Sequence, residues 1–281
     1  MQHVNIICDG GLGNRFNSLL GGLWLCKILD ASPILWWPIK NNCACEFNDI
    51  FSNDLPVVTK HTNTIYDNYQ NFFFLAHTKL IDQIPNNHLH PHNKTNIYNS
   101  ILTSKDIVYM HNKLERYIDD EIFYDQLCSL NIQNNILERV LNFCRDNKIN
   151  RKIKGIHIRK TDGALRFDED KMLEHIKNTK KITYFVCSDD KETEDRFNTL
   201  KNVIINPKQN FVEKLTGGSW RTNVIDSEGR KSKYNIMRSK EAIIEGFIDM
   251  LILSRTNIIV NNKSSFLGFA KRYSNIDLTG E

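Results

Sequence analysis

The chain has 281 residues, enough for one large domain or two smaller ones with a sizeable core. Its 41% apolar and 25% charged content is ordinary for a globular protein, and no run approaches the roughly 18 apolar residues of a membrane span. A net charge of +4, from 37 basic and 33 acidic residues, is too weak by itself to argue for nucleic acid and suits an anionic small-molecule ligand.

Residues 4–8 (VNIIC) are β-branched and apolar, and they predict a buried strand. Gly10, Gly11 and Gly13 make the turn that follows. Apolar positions at Phe16, Leu19, Leu20, Leu23, Trp24, Cys26 and Ile28 then predict a helix over 14–30, ended by Asp30 and Pro33. A second strand is expected at 34–37 (ILWW), so the chain opens as an α/β unit. Residues 41–125 are rich in Asn and His and show only apolar islands, at 72–75 (FFFL) and 107–110 (IVYM). A helix is expected over 132–149.

The second half has a regular rhythm. Strands are expected at 153–158 (IKGIHI), 182–187 (ITYFVC), 203–205 (VII) and 257–260 (NIIV). Helices are expected at 168–178, 191–199 and 237–254, and a last one begins near Phe266. This alternation implies a parallel, doubly wound sheet, whose ligands bind at the carboxyl ends of the strands. Three such ends carry RKTD (159–162), SDD (188–190) and NKSS (262–265).

Each polar motif has a structural and a chemical reading. In GGLGNR (10–15), the glycines permit either a close-packed turn or a loop lining a cleft, with a helix N-terminus that favours anions. The spacing is not that of a dinucleotide fingerprint, and no acid follows convincingly about 20 residues on. In HIRKTD (157–162), Arg159 stands where a guanidinium can grip phosphate in bidentate fashion, with Asp162 orienting it or fixing His157. The alternative is a surface Arg–Asp pair. The acids Asp189 and Asp190 suit a helix cap, hydrogen bonds from a base or ribose, or a metal, although a metal needs more converging oxygens than the sequence identifies. Ser264 or Ser265 suits an N-cap or an anion site, since both use the same N–H groups. The H-x-H-x-H run at 88–92 is expected to be a solvated loop. The seven cysteines are odd in number and scattered, and Cys43-x-Cys45 has no second pair at zinc-finger spacing. Reduced thiols, a cytoplasmic location and unused sequons at Asn93 and Asn262 are the expectation.

Taken together, these segments resemble the fucosyltransferase superfamily, closest to its α-1,6 and nodulation types. HIRKTD resembles the H-[IV]-R-R-x-D motif of that group. YFVCSDD is similar to its next strand and paired aspartates. EAIIEGFIDMLILSRTNIIVNNKSSF is similar to its helix–strand–Ser-Ser segment, and GGLGNRF to its N-terminal G-x-G-N loop. The resemblance covers about 120 residues of the second half and some 15 at the start.

It implies an α/β, GT-B-like architecture of two Rossmann-like domains facing across a cleft. An acceptor-side domain would span 1–145 and a nucleotide-sugar-binding domain 146–281. It further implies inverting, metal-independent transfer of a sugar, most simply fucose from GDP-fucose, onto a glycan or glycoprotein acceptor. No cofactor or metal is implied. Carried over by position, Arg159 binds the donor β-phosphate and stabilises the leaving group. His157 and Asp162 line the donor pocket, and Ser188, Asp189 and Asp190 lie at the nucleoside. Ser264, Ser265 and Phe266 hold phosphate, and Gly11, Gly13, Asn14 and Arg15 approach the donor from the other domain. Asp168 or Glu169 would be the general base. Lys160 departs from the second arginine of the motif, and Phe266 replaces a glutamine. The other readings are a glycosyltransferase using another GDP- or UDP-linked sugar and a non-catalytic sugar-nucleotide or glycan-binding protein. Turnover separates enzyme from binder.

Overall fold

A computed structural model describes residues 2–59, 72–76, 106–110, 120–161, 168–220, 223–225, 231–232, 235–259 and 264–278. The chain divides into two units. One comprises residues 1–39 and 46–132, and the other residues 40–45 and 133–281.

The first unit is built on a parallel sheet. The run HVNII becomes strand β1 (His3–Ile7), and the helical periodicity after the glycines becomes α1 (Leu12–Leu29). Then come β2 (Ser32–Trp36), β3 (Val57–Val58), β4 (Phe72–Ala76), β5 (Asp106–Met110) and helix α2 (Asp120–Cys128). The two apolar islands of the poorly patterned region are thus strands. The order across the sheet is β3-β2-β1-β5-β4, with β1 central. Buried Val4, Ile6 and Ile7 give β1 the continuous apolar character of a strand covered on both faces. Helix α1 crosses this strand closely, because Gly22 lies against Ile6; a Cβ on Gly22 would come within 2.5 Å of that side chain. Trp37, Phe47, Phe51 and Phe16 form a buried aromatic group, with successive ring centroids 5.6, 5.3 and 5.5 Å apart. The Trp36 indole N–H is satisfied inside the core by Asn5 Oδ1 at 3.0 Å.

The second unit begins with α3 (Asn134–Asp146) and β6 (Lys154–Ile158). It continues through α4 (Glu169–Asn178), β7 (Tyr184–Ser188), α5 (Lys191–Asn198) and β8 (Val203–Ile204). A small antiparallel ribbon, β9 (Val224–Ile225) with β10 (Lys231–Ser232), precedes α6 (Lys240–Ser254), β11 (Asn257–Ile258) and α7 (Ser265–Tyr273). The order β11-β6-β7-β8 is parallel throughout. From β6 the chain steps outward to β8, then returns through α6 to the other side of β6. That reversal puts a crevice at the carboxyl ends of β6 and β11.

Helix α6 is apolar nearly all round and is buried, with Ile243, Phe247, Met250 and Leu251 in the core. The strongly amphipathic α3 buries Ile136 and Val140 and packs on α6. This packing places residues 133–146 with the second unit, whereas the sequence expectation joins them to the first. The last helix is anchored by arginines at its C-terminal end. Arg255 Nη2 donates to the carbonyls of Ile276 (2.7 Å) and Tyr273 (3.4 Å), matching cations to helix-end carbonyls.

All seven cysteines are thiols; Cys43 and Cys45 are both buried with their Sγ atoms 3.6 Å apart. Among the described residues, no helix is long and apolar enough to cross a membrane.

Gly155 in β6 carries a specific packing demand. An added Cβ would fall 2.0 Å from Thr256 Oγ1 and 2.7 Å from Leu253 Cδ1. Thr256 is fully buried, and its hydroxyl is committed to Leu253 O at 2.7 Å, so it cannot yield. Gly155→Ala is expected to cost about 1–3 kcal/mol in urea unfolding. A cost near zero would show that α6 and β11 shift freely at this contact.

Candidate active site

The site is best built from the carboxyl end of β6 outward. Past Ile158 come Arg159, Lys160 and Thr161. The Lys160 N–H donates to Asp189 Oδ1 at 2.7 Å, and the Thr161 hydroxyl donates to Asp189 Oδ2. One carboxylate at the end of β7 therefore takes two donors from the end of β6 and holds the two strand ends together. Asp190 is the N-cap of α5, accepting from Thr193 N (2.9 Å) and Thr193 Oγ1 (2.7 Å). Ser188 Oγ accepts from Asp190 N at 3.2 Å.

The third strand end joins through rings. Ser264 caps α7, its hydroxyl accepting from Leu267 N at 3.2 Å, and Ser265 opens that helix. One residue on, Phe266 stacks on His157 with centroids 4.1 Å apart and planes at 17°. His157 is buried, and its ring pKa is pushed down to about 3, by burial first and then by the charges of Arg159 and Lys208. It is a neutral imidazole at pH 7. Its Nδ1 has no hydrogen-bond partner among the described residues. Asp162 lies outside the described residues, as do the histidines at 88–92. The structure thus brings together His157, Arg159, Asp189 and Phe266, from three separate stretches of the chain.

The two acids proposed as a base are placed for other work. Asp168 caps α4, accepting from Lys171 N at 3.1 Å, and that bond holds its carboxyl below the ordinary range. Glu169 is largely buried, and both of its oxygens are taken by cations: Lys160 Nζ on one and Arg196 Nη1, at 2.7 Å, on the other. Glu169 is thereby fully engaged, whereas Asp168 is exposed and keeps acceptor capacity beyond its cap. The same contact explains Lys160, whose ammonium serves Glu169.

In the glycine loop the structure corrects Arg15 alone. Gly10 has φ +87°, Gly11 is the N-cap of α1 without a side-chain cap, and Gly13 and exposed Asn14 lie in the first turn. Arg15 does not project from this loop. It is fully buried, with Nε on Gly10 O (2.9 Å), Nη2 on Pro38 O (2.7 Å) and its guanidinium 4.9 Å from the Trp37 ring centroid. The arginine that follows the glycines builds their turn by filling carbonyls that the turn leaves facing inward.

One cluster has no motif in the sequence. Lys208 Nζ lies 2.7 Å from Glu194 Oε1, 2.5 Å from Asp249 Oδ2 and 2.6 Å from Ser188 O, with all three side chains buried. Glu194 Oε1 also accepts from Ser188 N at 2.8 Å, and Asn206 donates to Asp249 Oδ1 at 2.9 Å. Burial works against the Lys208 charge, but Asp249 and Glu194 outweigh it and hold the ammonium above its ordinary range. Burial pushes Glu194 up from 4.5 to about 7 against the pull of Lys208, and it raises Asp249 as well. Among the described residues, no group of three or more His, Cys, Asp or Glu is arranged to hold a metal ion.

No family model matches the sequence, and no curated protein matches it. The fold nevertheless has solved counterparts, fucosyltransferases among them. The fucosyltransferase NodZ from Bradyrhizobium superposes with a TM-score of 0.60 at 14% identity, over 96% of this chain and 92% of that one. NodZ α-1,6-fucosyltransferase co-crystallised with GDP gives 0.59 at 14% identity, over 96% and 91%. A variant of Arabidopsis thaliana FUT1 in complex with GDP gives 0.55 at 12%, over 98% and 69%. The mixed α/β fold with parallel sheets is therefore that of the NodZ structures.

The buried cluster makes a pH prediction. Glu194 binds its proton more tightly folded than unfolded, so its contribution to stability is full below about 4.5 and is lost as pH rises through about 7. Glu194→Gln keeps the acceptor for Ser188 N and removes the titration. Its melting temperature is expected to fall less than that of the wild type between pH 5 and pH 8. Parallel profiles would show that Glu194 titrates normally.

Proposed function

We propose that the protein is a glycosyltransferase that moves a sugar, fucose from GDP-fucose, onto a glycan hydroxyl with inversion at the anomeric carbon. The observation that carries this reading is the convergence of Arg159, Asp189 and the His157–Phe266 stack at the carboxyl ends of β6, β7 and β11. Supporting it, solved structures of the same fold are described as complexes with GDP or as soaked with GDP-fucose. On this reading the two units form a GT-B enzyme, with the second unit holding the donor.

The chemistry follows from where charge grows. As the bond from sugar to diphosphate breaks, negative charge collects on the β-phosphate. A guanidinium fixed at the strand end stabilises that charge without a metal ion. Arg159 takes this role, and Lys160, engaged by Glu169, supports the strand end instead. The N–H groups at the start of α7, behind Ser264, Ser265 and Phe266, meet the phosphates. Asp189 and Asp190 keep acceptor capacity beyond their present bonds and face the nucleoside with Ser188. His157 lines the donor pocket. Asn14, with Gly11 and Gly13, serves from the first unit. The acceptor hydroxyl attacks the anomeric carbon from the side opposite the departing diphosphate; the new C–O bond forms as the bond to the diphosphate breaks, and the hydroxyl proton passes to the exposed carboxylate of Asp168.

The test is a thermal-shift panel with GDP, GDP-fucose, GDP-mannose, UDP, UDP-sugars and NAD, on wild type and Arg159→Ala, followed by turnover with a chelator. A ligand at 100 times its dissociation constant adds about 2.7 kcal/mol. GDP compounds are expected to raise the wild-type melting temperature, and the variant is expected to lose the shift and the turnover. A shift with UDP compounds alone would remove GDP-fucose as donor. Chelator inhibition reversed by a divalent ion would contradict the metal-independent mechanism. Binding without turnover under any condition would leave a sugar-nucleotide-binding protein.

A further inference from the structure

Between β8 and α6 the chain makes a long excursion, residues 205–239. Two hydrogen bonds fix where it stands. On the outgoing limb, Val212 N donates to Asp189 O at 3.3 Å. On the returning limb, Arg238 Nη2 donates to Thr161 Oγ1 at 3.5 Å. Both acceptors belong to the strand ends of the candidate site. Immediately beyond these feet, Glu213 and Met237 close an antiparallel bridge with bonds of 2.9 and 2.7 Å. The loop therefore rises from the rim of the site.

Its interior is fastened by one side chain. Asn235 is fully buried; its Oδ1 accepts from Thr216 N at 2.9 Å and its Nδ2 donates to Thr216 O at 2.8 Å. The Asn235 N–H donates to Trp220 O at 3.0 Å. Residues 216–219 are exposed, yet their backbone is pinned. Of the four tryptophans in the chain, Trp24, Trp36 and Trp37 are core residues, 4, 1 and 0% exposed. Trp220 is the exception: half-buried, on this polar loop, with the Lys214 ammonium 5.0 Å from its ring centroid.

We propose that Trp220, flanked by Lys214, is a stacking platform for a pyranose ring of the acceptor glycan, a role that rests on the glycosyltransferase reading above. A pyranose presents an apolar C–H face with hydroxyls around its edge. The indole takes the face, and the ammonium, only weakly held at an exposed cation–π site, turns to the hydroxyls. A platform ordered before binding loses little entropy when the sugar arrives. The loop stands on the ends of β6 and β7, which the proposed function gives to the nucleoside, but Trp220 lies beyond the Glu213–Met237 bridge, farther out on the loop than those strand ends. The sugar it meets is therefore assigned to the acceptor, which arrives after the donor is seated.

The test combines fluorescence and kinetics on the full chain. Methyl glycosides of glucose, galactose, N-acetylglucosamine and xylose are titrated while acrylamide quenching is measured. At least one is expected to protect the accessible tryptophan, and Trp220→Ala abolishes that protection. In turnover, Trp220→Ala raises the acceptor KM about tenfold, with donor KM, kcat and the GDP melting shift unchanged, and Trp220→Phe restores most of the loss. No protection by any glycoside, an unchanged acceptor KM, or a change in donor KM alone would overturn the proposal. Saccharide protection without any GDP shift or turnover would overturn the enzyme reading and keep the platform as a glycan-binding site.

Discussion

The second unit depends on a buried ammonium. Lys208 reaches the carbonyl of Ser188 and the carboxylates of Glu194 and Asp249, so one charge ties the end of β7 to α5, to the loop after β8 and to α6. Such a cluster is worth little against an apolar replacement of the same shape. Removing one member is another matter, because an uncompensated buried charge costs about 3–5 kcal/mol. The cluster therefore acts mainly as a constraint: β7 can end in only one way. Asp189 and Asp190, the next two residues, inherit their positions from it.

From that point the site is assembled by reciprocal contacts. Asp189 receives the backbone of Lys160 and the hydroxyl of Thr161, which fixes how β6 ends relative to β7. The His157–Phe266 stack fixes α7 relative to β6. The neutral imidazole is a consequence of the same crowding, since burial and two nearby cations disfavour a third charge. Arg159 sits at this strand end between Ile158 in β6 and Lys160, whose N–H is held by Asp189. On the proposed reading, a guanidinium that meets charge developing in a reaction works best when the groups around it do not have to reorganise.

The first unit follows a different logic. Its glycine loop is bare on the outside, with Asn14 exposed, and filled from the inside by Arg15. The aromatic group beneath, Trp37 with Phe47, Phe51 and Phe16, packs as rings edge to face or tilted, and Trp37 also receives the Arg15 guanidinium. A buried arginine is tolerated here because carbonyl oxygens and an aromatic face replace its water.

The sequence by itself determined the opening of the first unit and most elements of the second, with their order. Alternating apolar runs and helical periodicity locate β1, α1 and β2 and every helix of the second unit within a few residues, because those signals are local. It also determined that polar motifs fall at strand ends, and the topology of a parallel sheet then requires those ends to share an edge. Tertiary structure alone decided what each polar residue does there. Asp168 and Glu169 look alike in sequence, yet one caps a helix and the other joins Lys160 to Arg196, and the contact with Arg196 depends on packing across 27 residues. Arg15 reads as a ligand arginine because it follows glycines, and the fold turns it inward. Glu194, Lys208 and Asp249 carry no motif at all, since a buried ion cluster is defined by distances that no spacing in the chain records.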